Sequence, residues 1–281
     1  MTKIIINKDK RQFTFAKAMV DEERKVCRLP PVACPQFLPF ANNQILDKFV
    51  YVIQQYIMAR FKRIDVIIKM KEAGIVPVFY NKDPEVCRNV IKACFEGGIK
   101  VFEFTNRGDF AHELFSDLNK WAEKEVPEMV MGVGSVVDPG TASLYIQLGA
   151  NFIVSPVLNP EMAKVCNRRK ILWSPGCGSL SEINYAEELG AEIVKIFPGS
   201  SVGGPEFVKA IKGPCPWTSI MPTGGVEPTV ENLKGWFEAG VTCVGIGSNL
   251  ITKEIIQKKD WKGLTEKVTE AVNIVKTFKK D

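Results

Sequence analysis

Lys195 stands inside Ile193-Val194-Lys195-Ile196-Phe197, an apolar, β-branched run closed by Pro198-Gly199. Such a run reads as a buried strand, and parallel strands are normally covered on both faces. An ammonium group held there loses hydration, which disfavours its charged form. The free amine that results is the species that condenses with a ketone to form a Schiff base. The plain alternative is a lysine that snorkels from the strand end or pairs with a carboxylate. Glu103 is a second charge in an apolar setting, within Val101-Phe102-Glu103-Phe104-Thr105-Asn106-Arg107, and Arg107 opens the following loop. Alone, Glu103 and Arg107 read as an ion pair; beside a buried Lys195 they supply a proton carrier and an anion anchor for an amine. The third feature is a pair of glycine-bearing turns, Pro222-Thr223-Gly224-Gly225 and Gly245-Ile246-Gly247-Ser248. Glycines there let backbone N–H groups approach an anion, and a short helix after Ser248 would add its positive end. The alternative is a pair of tight turns with no ligand.

These residues need elements to hold them at one place. From residue 75 onward, strand-like runs alternate with helix-like segments at the spacing of a βα unit, about 20 to 30 residues. The strands read at 75–79, 99–104, 129–133, 152–154, 171–173, 193–197, 219–221 and 241–246. Between them, segments such as 84–96 and 111–124 carry apolar residues every three or four positions. Gly97-Gly98, Gly149, Gly190 and Gly240 fall where helix C-caps belong. Eight such units predict a (β/α)8 TIM barrel, in which reacting groups gather at the C-terminal ends of the strands. A doubly wound open sheet is the alternative, but no G-x-G-x-x-G follows the first strand.

Residues 1–57 do not share this rhythm. The stretch 27–40 is proline-rich, and 45–57 has a helical apolar pattern broken by Lys48, Gln54 and Gln55, too short and too polar to span a bilayer. Met58 reads as a natural start, followed by a helix with Ile64, Ile67 and Ile68 on one face. The chain therefore divides into an N-terminal extension, 1–57, dispensable to the fold, and a barrel over 58–281.

Composition narrows the function classes. A 46% hydrophobic and 25% charged chain of 281 residues is an ordinary globular protein, long enough for one large α/β barrel. The net charge of +5 is modest, and its lysines are scattered, not set in a basic stripe, which speaks against nucleic acid as a partner. Eight cysteines without a C-x-x-C pair or a secretory signal indicate reduced thiols in the cytoplasm. The single histidine, His112, belongs to an amphipathic helix and leaves little basis for a metal site.

Taken in order, the motifs resemble the 2-keto-3-deoxy-6-phosphogluconate aldolase family, which also covers 4-hydroxy-2-oxoglutarate aldolase activity. The resemblance runs from about Arg60 to the C-terminus. Residues 101–107 resemble the family's E-x-T-x-R strand, Gly132-Val133-Gly134-Ser135-Val136 its G-A-G-T-V, and Lys195-Ile196-Phe197-Pro198 its Schiff-base K-x-F-P. Ser155-Pro156 and Pro175-Gly176 match the ends of strands four and five, and the two glycine turns match the phosphate loops. The resemblance implies a class I aldolase, free of metal and cofactor, that releases pyruvate and glyceraldehyde 3-phosphate from a small phosphorylated keto acid. It implies Lys195 as the covalent amine and Glu103 as general acid/base. Arg107 and Ser135 would bind the carboxylate, while Thr223, Gly224, Gly225, Gly247 and Ser248 would bind the phosphate. A homotrimer, with no membrane attachment, is implied too. Ser135 replaces the usual threonine, Cys177-Gly178 replaces an apolar residue and a hydroxyl residue, and Tyr80-Asn81 stands where relatives acting on the galactonate isomer carry arginine. The galactonate isomer, 4-hydroxy-2-oxoglutarate, a barrel isomerase and a non-catalytic phosphosugar-binding barrel remain the alternatives.

Overall fold

A computed structural model describes residues 3–7, 12–16 and 59–279. The chain divides into two compact units, Met1–Ile57 and Met58–Asp281. In the first, β1 (Lys3–Asn7) and β2 (Gln12–Ala16) form an antiparallel pair in which Lys3 lies opposite Ala16 and Asn7 opposite Gln12. The segments 27–40 and 45–57, and the start at Met58, lie outside the described residues.

The second unit is the barrel. It opens with α1 (Arg63–Ala73) and continues through β3 (Ile75–Phe79), α2 (Pro84–Glu96), β4 (Val101–Thr105), α3 (Ala111–Glu125), β5 (Val130–Gly134), α4 (Pro139–Gln147) and β6 (Phe152–Val154). Then come α5 (Pro160–Arg169), β7 (Leu172–Ser174), β8 (Gly176–Cys177), α6 (Leu180–Glu188), β9 (Val194–Ile196), α7 (Gly204–Lys212) and β10 (Ile220–Pro222). It ends with α8 (Val230–Glu238), β11 (Val244–Ile246), α9 (Lys253–Lys258) and α10 (Trp261–Phe278). All barrel strands are parallel, in the orders β11-β3-β4-β5-β6-β7 and β8-β9-β10. Pro175 interrupts the fifth stave, which the sequence presents as one strand, so that β7 pairs with β6 and β8 with β9. Thr242 N–H donates to the Ile220 carbonyl at 2.9 Å and Thr223 bridges to Gly245, closing the ring between β10 and β11.

Local sequence explains the regular alternation. Asp83-Pro84, Asp138-Pro139 and Asn159-Pro160 each set a side-chain acceptor at the N-cap and a proline in the first turn. Gly98, Gly149, Gly190 and Gly240 follow their helices with φ between 85° and 97°, a conformation costly for residues with a Cβ. One core lies between strands and helices, where Phe115 packs tilted against Phe104 and edge to face with Tyr145. The other fills the lower barrel with Val76, Val101, Val130, Leu172, Ile193 and Met221 and is plugged by Val66 and Met70 of α1. The expected apolar face of α1 is thus corrected: Val66 and Met70 are buried, while Ile64 and Ile68 are 63% and 48% exposed. Five apolar residues within seven positions cover more than one side of a helix, so periodicity could not choose the buried one.

Candidate active site

Alternation along β4 and β9 decides where the two out-of-place charges point. Phe102 and Phe104 join the outer core while Val101 joins the inner one, so Glu103 shares the inner face with Val101. On β9, Val194 and Ile196 face outward and Ile193 inward, which turns Lys195 into the barrel. Glu103 is 1% exposed and Lys195 5%, and their nearest atoms, Oε1 and Nζ, are 3.9 Å apart. That separation is a charge contact without a hydrogen bond, so both groups remain free to engage a third. Lys195 Nζ also lies 5.0 Å from the centre of the Phe197 ring.

The glycines of β5 make room for this pair. Glu103 lies beside Gly132 in the β4–β5 ladder, and a Cβ on Gly134 would fall 1.8 Å from Glu103 Oε1. Among the described residues, Glu103 Oε2 has no hydrogen-bond partner despite its burial. Burial pushes the Glu103 carboxyl above its ordinary value, and the charges of Lys195 and Arg107 pull part of the way back. A carboxyl so placed gives and takes protons nearer neutral pH than an exposed glutamate does.

Arg107 is carried by the loop after β4, where Asn106 N–H donates to Gly134 O at 2.8 Å and Tyr145 Oη donates to Asn106 Oδ1 at 2.8 Å. Its Nε donates to Ser135 Oγ at 3.2 Å, and Ser135 itself sits at φ 60°, in the left-handed region that turns the chain out of β5. Above the Lys195–Glu103 pair opens a cavity of about 590 Å³. Arg107, Thr223, Gly224, Gly225, Gly247 and Ser248 line it. Lys195 and Glu103 lie one layer deeper: Thr105 and Phe197, each two residues further along the same strand path, form part of the wall. A Cβ on Gly245 would meet Thr223 Oγ1 at 2.3 Å, and among the described residues that buried oxygen has no partner.

The structure therefore brings together Lys195 with Glu103, Arg107 with Ser135, and the two glycine turns along one cavity. A short helix does follow Ser248: Leu250 and Ile251 N–H both donate to Gly247 O, closing a single turn, and α9 then begins at Lys253 with Thr252 as its N-cap. Ser155 Oγ accepts from Val157 N–H at 3.1 Å and so braces the turn after β6. Thr105, Phe197, Asn249, Lys253 and Gln257 were not singled out by the sequence, yet all line the cavity. Alternation from Glu103 and Lys195 would have found the first two; nothing local marks the other three. His112 is half-buried on α3, outside the cavity lining. Among the described residues, no cluster of three His, Cys, Asp or Glu side chains is placed to hold a metal ion.

Residues 66–267 match the sequence profile of the aldolase family described as KDPG and KHG aldolase. The chain belongs to that family. It is 29% identical over 211 residues to a 2-dehydro-3-deoxy-phosphogluconate aldolase of Haemophilus influenzae, covering 75% of this chain and 97% of that protein. To the KHG/KDPG aldolase of Escherichia coli it is 32% identical over 199 residues, 70% of this chain and 90% of the relative. Among solved structures, the KDPG aldolase of Legionella pneumophila was captured with pyruvate as a covalent carbinolamine. It superposes with a TM-score of 0.65 at 28% identity, covering 73% of this chain and 97% of that one. The 2-keto-3-deoxy-6-phosphogluconate aldolase of Zymomonas mobilis gives 0.66 at 26% identity, over 74% and 97%. The family aldolases are carbon–carbon lyases, and no helix among the described residues of this member is long and apolar enough to cross a membrane.

Proposed function

We propose that this family member is a class I aldolase that cleaves 2-keto-3-deoxy-6-phosphogluconate to pyruvate and glyceraldehyde 3-phosphate. The observation that carries the reading is the buried Lys195–Glu103 pair at 3.9 Å beneath a cavity lined by Arg107 and two glycine turns. The neutral Lys195 amine attacks the C2 ketone to give a carbinolamine. Glu103 protonates the departing hydroxyl, and loss of water leaves a protonated imine. The Glu103 carboxylate then takes the proton from the C4 hydroxyl as the C3–C4 bond breaks. The bonding pair passes to the imine nitrogen as an enamine, and the aldehyde leaves. Glu103 returns its proton to C3, and water hydrolyses the pyruvyl imine. Arg107 binds the carboxylate by a charge-assisted pair with Ser135 beside it, and Thr223, Gly224, Gly225, Gly247 and Ser248 hold the phosphate.

Relatives bearing both KDPG and KHG names favour 4-hydroxy-2-oxoglutarate as a second substrate, while the galactonate isomer is decided by measuring pyruvate release from each candidate. We assign the enzyme to the cytoplasm as the homotrimer that the family resemblance implies, which sedimentation would test. The chemical test is borohydride trapping with pyruvate. One pyruvyl adduct on the peptide holding Lys195 is expected, and none in Lys195→Arg, whose guanidinium stays protonated. An adduct on another lysine would end the assignment.

A further inference from the structure

The described residues lining the cavity include two cations, Arg107 and Lys253, and no carboxylate. Arg107 is already engaged with Ser135, close enough to Glu103 to act on its carboxyl. Lys253 lines the same cavity from α9, the helix that follows β11. Its situation differs from that of three other helix lysines. Lys164, Lys209 and Lys258 each hold a glutamate three or four residues away, and Glu254, beside Lys253, is committed to Lys258 at 2.6 Å. The Lys253 side chain makes no ion pair or hydrogen bond with any described residue, and Gln257, one turn further on, presents to the same wall. An ammonium is a point charge suited to a phosphate, which carries close to two negative charges at neutral pH.

We infer that Lys253 is a specificity-determining residue, recognising a terminal phosphate and so favouring phosphorylated over unphosphorylated 2-keto acids; the inference rests on the aldolase reading above. Arg107 serves the carboxylate common to both kinds of substrate. Lys253 serves the end that only one of them has. The cavity's solvent side leaves the Lys253 interaction open to screening by salt.

The test compares the full-length parent with Lys253→Met and Lys253→Arg in two measurements. The first is kcat and KM for pyruvate release from 2-keto-3-deoxy-6-phosphogluconate and from 4-hydroxy-2-oxoglutarate. The second is equilibrium binding of glycerol 3-phosphate, which has no ketone and needs no covalent step. In Lys253→Met the kcat/KM ratio of phosphorylated to unphosphorylated substrate should fall about tenfold, through KM, with glycerol 3-phosphate affinity weakened by a similar factor. Lys253→Arg should restore most of both, and the difference should shrink at high salt. A ratio within twofold of the parent, or equal losses on both substrates, overturns the inference. If the parent releases no pyruvate from either substrate yet binds glycerol 3-phosphate through Lys253, the aldolase reading fails and the phosphate assignment stands.

Discussion

Replacing Gly134 with alanine tests whether the position of one carboxylate controls turnover. Gly134 does not occupy the left-handed region, so alanine meets no backbone strain there; what the glycine provides is space. The added Cβ would lie 1.8 Å from Glu103 Oε1, 2.6 Å from Cδ and 2.9 Å from Cγ, against an ordinary contact of 3.4 Å or more. The carboxylate must therefore retreat by about 1.6 Å, and it is hemmed in by the ladders to β3 and β5 on either side of β4. Overpacking of this kind costs about 1–3 kcal/mol of stability, which a domain of this size survives. A misplacement of about 1 Å in a catalytic group costs on the order of 10²-fold in rate, and that is the expected fall in kcat for pyruvate release. Lys195 is not displaced, so borohydride should still trap pyruvate on it. Gly132→Ala supplies the contrast, because its Cβ would strike the Phe152 ring at 2.4 Å and not Glu103. That variant should lose stability in a thermal melt with a smaller loss of kcat. A Gly134→Ala enzyme that stays folded with kcat within threefold of the parent would refute the placement of Glu103 in the proton transfers.

Four further outcomes are expected. Glu103→Gln should keep the Lys195 adduct but lose about 10²–10⁴-fold in turnover, the usual contribution of an acid/base group. The folded Glu103 carboxyl lies above its ordinary value of 4.5, so its contribution to stability is complete below that value and is lost as pH rises through the folded value. Melting temperature should therefore fall less in Glu103→Gln than in the parent as pH is raised from the carboxylate range toward neutrality. Chelators should leave pyruvate release unchanged, because the imine serves as the electron sink that a Lewis-acid metal would otherwise supply; restoration by added Zn²⁺ or Mg²⁺ after chelation would contradict this. Deleting residues 1–57, the whole of the first compact unit, should leave the barrel's melting temperature and its rate of pyruvate release essentially intact; insolubility or a melt lowered by several degrees would show that the extension covers an apolar face.

Much of the barrel is legible in the chain because each unit carries its own punctuation. Asp-Pro or Asn-Pro opens three of the helices, and a glycine at positive φ ends several of them. The β-branched runs between these signals could only be strands. The pair of β1 and β2 is a different case: Ile4-Ile5-Ile6 and Phe13-Thr14-Phe15 flank the charged stretch Lys8-Asp9-Lys10-Arg11, a local sequence signal that a search for βα rhythm passes over. The break at Pro175 was visible as a residue that cannot donate to a ladder, but its consequence, one stave pairing left with β7 and right with β8, depends on the register of neighbours far away in sequence.

The site divides along the same line. Glu103 and Lys195 announce themselves because a charge within an apolar strand contradicts its surroundings, and such contradictions concentrate where chemistry is done. Lys253 contradicts nothing. A lysine in the first turn of a polar helix is ordinary, and only the path of the chain after β11, through a single turn closed on Gly247, brings it to the cavity wall. The catalytic layer is thus held by strands, whose two-residue alternation fixes side-chain direction from sequence. The layer that we assign to selectivity is held by turns and a six-residue helix, whose direction is set by tertiary structure. On this division, changes of substrate preference within such a barrel need not touch the residues that perform the bond cleavage. They can be made in the loop that follows β11 while Glu103 and Lys195 keep their 3.9 Å separation.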